Sequence, residues 1–208
     1  IKGRVLLFLS NNDKKEPRFQ TNDKSSPAFV FGADLKPQPS SKTIINNKTF
    51  GYPIESLDQI PKGDYFVQAL LHKYETFNLR TGHIVNLPMD RGEGQRWHSA
   101  PGNYYSNVKK VSLDPKKRSS IKIILDQIIP EIIPPKNTKY VKHIQIKSDL
   151  LSDFWGRPMY LGAHILLPEG FDEHPEARYP LMIFHGHFPK DFGGFRTKAP
   201  DPNLKPEY

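Results

Sequence analysis

The sequence predicts a mostly β chain: an antiparallel sandwich of immunoglobulin-like type over residues 1–130, then the first strands of a second sheet from residue 140 onward. Three observations carry this expectation. Short apolar runs separated by Pro, Gly, Asn and Asp clusters recur through the first 130 residues, the signature of many strands joined by tight turns. Twenty prolines in 208 residues, about twice the usual frequency, disfavour long helices. A stiff, proline-rich stretch, "PEIIPPKNTK", then separates two differently patterned regions, giving a linker at 131–139 and a second domain at 140–208.

Taken in order, "GRVLLFLS" (3–10) is an apolar run halted by the turn signal "NND". "PAFVFG" supplies a second strand. "GDYFVQALLHKYE" (63–75) alternates, with Tyr65, Val67, Ala69 and Leu71 on one side and Phe66, Gln68 and Leu70 on the other. "GHIVNLPMD" follows the turn "NLRTG", and "NVKKVSLDP" adds another strand. "SSIKIILDQIIPEIIPP" admits two readings: a helix capped by Ser120 and broken at Pro130, or a strand. Alternation of Ile121, Ile123 and Leu125 against Lys122 and Asp126, with many β-branched residues, favours the strand. Beyond the linker, "VKHIQIKSDLL" reads as an outer strand, "MYLGAHILLPEGF" as a longer one, and "YPLMIFHG" as a run buried on both faces. The tail, 191–208, lacks any period and reads as loop.

Composition narrows the function. No cysteine is present, which removes disulfides, thiolate metal sites and a cysteine nucleophile. The net charge of +8 comes from basic residues scattered among acidic ones, with "PKKR" (115–118) the one dense run. Without a motif of recognisable spacing, that charge speaks for solubility rather than nucleic-acid binding. No apolar run reaches membrane-spanning length. The absent initiator Met points to processing or to a piece of a longer chain.

The chemistry concentrates where "YPLMIF" meets His185-Gly186-His187. Gly186 lets the backbone turn sharply, so that the N–H groups of Gly186 and His187 face a substrate oxygen. Donors fixed in that way stabilise the oxyanion of acyl transfer. "HILLPEGF", the polar turn "DEHPEAR" and "YPLMIFHGH" resemble the second and third strands of an α/β-hydrolase, in the subgroup of serine esterases that carry an N-terminal β-sandwich. The resemblance spans about 140–189, and only loosely the first 130 residues. It implies an oxyanion element at Gly186 and His187, a cleft bordered by His185, Arg157 and Trp155, an ester substrate and no cofactor. It also favours a periplasmic or extracellular setting. Such an enzyme needs a G-x-S-x-G nucleophile elbow followed by an acid and a His, and no serine here stands in that context. The expectation is therefore the front part of a longer polypeptide, with no catalytic serine, acid or base among these residues. The rest of that polypeptide, or a second chain, would complete the sheet.

Rival readings attach to three other places. His185 and His187, joined by His164 or His174, form a conceivable metal pair, but without a carboxylate at a supporting spacing. "RGEGQRWHSAPGNYYS" (91–106), with Trp97, Tyr104, Tyr105, Arg91 and Arg96, offers a carbohydrate-binding face or a loop pinned by its aromatic rings. It makes a non-catalytic binding or assembly module the alternative function. Asn47-Lys48-Thr49 fits a glycosylation acceptor.

Overall fold

The structure is a computed structural model describing residues 1–22, 28–35, 42–117, 119–185, 192 and 203. The chain divides into two compact units, Ile1–Ile133 and Pro134–Tyr208. The boundary lies within the proline-rich stretch.

Among the described residues, the first unit is built on one eight-stranded antiparallel sheet. Its spine is β4 (Gly63–Asn78) beside β1 (Lys2–Ser10), with β2 (Phe29–Asp34) and the short β3 (Gly51–Tyr52) continuing outward from β1. The long β4 uses its length to hold several partners. β7 (Lys109–Leu113) pairs at 63–67, β6 (Tyr104–Tyr105) at 70–71 and β5 (Ile84–Leu87) at 75–78, while β8 (Gln127–Ile128) pairs with β6. β1 is set against β4 in a register of Leu9 with Val67, Leu7 with Ala69 and Leu6 with Leu70. Because side chains alternate across a strand, this register sorts the apolar residues onto two faces. One face carries Leu9, Phe31, Tyr65 and Val67, closed by Ile60; the other carries Phe8 and Leu70, closed by Ile129. Phe8, Phe31 and Leu70 have no exposed surface. Burial of each such side chain contributes roughly 1.5–3 kcal/mol before ordering costs.

The coarse expectation, a mostly β chain with antiparallel strands, holds, and the run 120–126 forms no helix. Three finer expectations change. The run "SIKIILD" joins no ladder; only Gln127 and Ile128 beyond it do. Alternation and β-branching bias the backbone toward extension, but a ladder also needs a neighbouring strand.

In the second unit, β9 (Val141–Lys147) and β10 (Tyr160–Leu166) form an antiparallel pair, with α1 (Asp149–Trp155) inserted between them. The helix replaces the expected end of the strand "VKHIQIKSDLL". Ser148 caps it through its hydroxyl, which accepts from the Leu151 N–H at 3.3 Å. Gly156 ends it in the left-handed region at φ 66°, a conformation that glycine adopts without a Cβ penalty.

The third change concerns "YPLMIFH". Residues 179–185 form no strand, and Leu181, Met182, Ile183 and Phe184 are 79–90% exposed. A continuous apolar run encodes a demand for burial without encoding what satisfies it, and no described strand lies beside this one.

Candidate functional site

The sequence places its candidate site at the end of that exposed run. His185 is exposed at its terminus, while Gly186 and His187 lie outside the described residues. Trp155 and Arg157 are brought together by the end of α1, either side of Gly156, and both are half-buried. Trp155 meets Phe154 edge-on, with ring centroids 5.4 Å apart. The Arg157 N–H donates to the Ser152 carbonyl at 3.2 Å. Ser152 organises this corner further. Its hydroxyl donates to the Ser148 carbonyl at 2.6 Å and accepts from the Met159 N–H at 2.9 Å. A serine so engaged in backbone bonds serves as a turn fastener, not as a nucleophile.

His164, offered above as a third metal ligand, sits on β10 directly opposite His143 of β9, with ring centroids 4.6 Å apart. His143 Nδ1 lies 3.3 Å from Asn137 Oδ1. His174 stands in the exposed turn before the apolar run. Among the described residues, no group of three His, Asp or Glu side chains is arranged to hold a metal ion.

The loop 91–106 is fixed by its rings. Trp97 stacks on the buried Phe8, with centroids 5.6 Å apart and planes 7° from parallel. Its indole face is thereby committed to the sheet instead of to a sugar. Beside it lies a polar cluster that periodicity alone does not single out. Gln68, fully buried on β4, accepts from the Arg18 N–H at 3.2 Å and donates to Glu16 Oε2 at 2.6 Å and to the Ser106 carbonyl at 3.0 Å. The Arg18 guanidinium donates to Glu16 at 2.9 Å and to the His98 carbonyl at 3.0 Å. It lies 4.4 Å from the centroid of the Phe19 ring and 4.1 Å from that of Tyr105. Every contact closes inward, so this cluster clamps residues 16–19 and 97–106 to the sheet. The only sequence signal for it was Gln68, a polar residue within an apolar alternation.

Burial, followed by the Arg18 and Arg96 charges, holds the His98 imidazole below its ordinary pKa. Burial does the same at His72. Among the described residues, no helix is long and apolar enough to cross a membrane. No family model, curated protein or solved structure matches the chain.

Proposed function

We propose that this chain is the front part of a serine ester hydrolase. In this reading the first unit is an immunoglobulin-like sandwich, and the second opens an α/β-hydrolase sheet whose serine, acid and base lie outside these residues. The observation that supports it is the sequence of features in the second unit. An antiparallel strand pair is followed by a polar turn and then by four consecutive apolar side chains in water, delivering His185-Gly186-His187. Soluble proteins bury such a run, and a strand supplied by the remaining polypeptide or by a second chain would bury it and pair its peptide groups. The serine hydroxyl would then attack an ester carbonyl while a histidine takes its proton. The Gly186 and His187 N–H groups would hold the oxyanion.

Fluorophosphonate labelling of the native protein tests this. The labelled species is expected to yield peptides of this chain and a modified serine in a G-x-S-x-G context. Gly186→Val is expected to slow labelling on the order of 10²-fold, the loss typical of a disturbed oxyanion donor. A native protein that contains these peptides and resists labelling would overturn the proposal.

A further inference from the structure

A short lid sits within the loop 91–106. Its centre is the one-turn 3₁₀ helix Trp97–Ser99. Left-handed backbone flanks it on both sides, at Gly94 and Gln95 with φ 65° and 64° and at Gly102 with φ 78°. Glycine adopts that conformation freely, whereas Gln95, which has a Cβ, holds it only while its surroundings enforce it. Trp97 stacks on Phe8 and so roofs the buried cluster of Phe8, Leu70 and Ile129. Asn103 Nδ2 donates to the Trp97 carbonyl at 2.9 Å, and the Arg18 guanidinium donates to the His98 carbonyl at 3.0 Å.

The lid carries a titratable ring where it meets residues 16–19. His98 lies edge-on to Phe19 and Trp97, and among the described residues its buried Nδ1 has no hydrogen-bond partner. The charged groups around it are Arg18 and Glu16 from that segment and Arg96 from the lid itself, while β6 contributes Tyr105 against the Arg18 guanidinium. Glu16 Oε2 is already bonded to Arg18 and Gln68. A neutral imidazole fits this site. An imidazolium would stand half-buried beside two guanidinium groups, with no acceptor for its Nδ1–H. In water the same ring carries its charge without that penalty, and the lowered pKa of His98 agrees with this geometry.

We propose that residues 95–101 form an acid-opened lid with His98 as its sensor. Protonation of the ring releases the Trp97–Phe8 stack and the Arg18 bond, and the lid swings out on Gly94, Gln95 and Gly102. The apolar cluster of Phe8, Leu70 and Ile129 is thereby uncovered, while the β1–β4 ladder keeps its pairing. Proton linkage sets the size of the effect. A proton that binds only the open form, with an imidazole pKa of about 6.5, raises the open population by at most about 30-fold between pH 7.5 and pH 5. The lid belongs to the first unit and does not depend on the ester-hydrolase proposal.

Modification by an indole-selective nitrobenzyl bromide, read by peptide mass spectrometry on the full chain, tests the lid. The chain has two tryptophans, Trp97 and Trp155, and free N-acetyltryptophanamide in the same tube corrects for the reagent's own pH dependence. From pH 7.5 to pH 5 the rate at Trp97 is expected to rise by as much as about 30-fold, while that at Trp155 stays level. Amide protection of the β1–β4 ladder is expected to persist at both pH values. His98→Phe, which keeps a ring between Phe19 and Trp97, and His98→Gln are each expected to leave Trp97 slow at pH 5. Arg96→Gln is expected to make the rise smaller, because one of the two cations opposing the proton is gone; a merely structural Arg96 would leave it unchanged. The proposal is overturned if Trp97 reacts equally fast at both pH values, or if both His98 variants keep the full rise. It is equally overturned if the ladder loses protection over the same range, which would mean global unfolding instead of a lid.

Discussion

Arg18 shows how one residue can hold charge inside a β structure at acceptable cost. Its guanidinium is paired with Glu16, lies against the Phe19 and Tyr105 rings, and bonds the His98 carbonyl. Buried polar groups persist where each donor and acceptor is used. His98 is the member of this cluster whose pKa is displaced, lowered by burial and then by the Arg18 and Arg96 charges. Its Nδ1 is buried without a hydrogen-bond partner, and its ring meets Phe19 and Trp97 edge-on. Because its folded-state pKa lies below the ordinary imidazole value, the unfolded chain takes up the proton first as pH falls. Stability then declines with pH below about 6.5, the unfolded imidazole value. Urea unfolding at pH 7 and pH 5 is expected to give a lower midpoint at pH 5. His98→Phe is expected to flatten that difference in part, leaving the contribution of His72.

At the scale of elements, the β1–β4 ladder depends on a glycine. Gly3 has φ +156°, and a Cβ built there would stand 2.2 Å from the His72 carbonyl oxygen of the facing strand. Backbone cannot yield as a flexible side chain would, so Gly3→Ala must push the strands apart locally. The expected loss is about 1–3 kcal/mol, the range for overpacking, read as a lower denaturation midpoint with faster amide exchange at the start of β1. Elements also differ in how plainly the sequence declares them. β4 was legible from alternation through Leu71, because the sheet around it is apolar on one side and mixed on the other. The helix α1 was not, although Ser148 and Gly156 are a cap and a stop at the right distance. Seven residues are too few for the apolar period to stand out.

For the whole molecule, the two units differ in what holds them. Both core clusters belong to the first unit, whereas among the described residues of the second only Val141 is buried. A fragment of residues 1–133 is therefore expected to fold alone, with a β-type circular dichroism spectrum and one cooperative thermal transition. A fragment of residues 134–208 is expected to melt without a cooperative step. Cooperativity requires a core whose members bury one another. The same contrast places the exposed run 181–184 in the less self-sufficient unit, in line with the proposal that further chain completes it.

By itself the sequence determined extension and apolarity: that the segments of β1, β2, β4 and β9 are strands, and that Leu181, Met182, Ile183 and Phe184 call for burial. Those properties are local, set by side-chain shape, alternation and turn residues. Only the tertiary structure decided which extended segments found partners, leaving 120–125 outside the ladder and joining Gln68 to Arg18 and Ser106. Strand pairing and polar satisfaction depend on groups distant in the chain, and no local pattern of residues encodes the neighbour that a strand will meet.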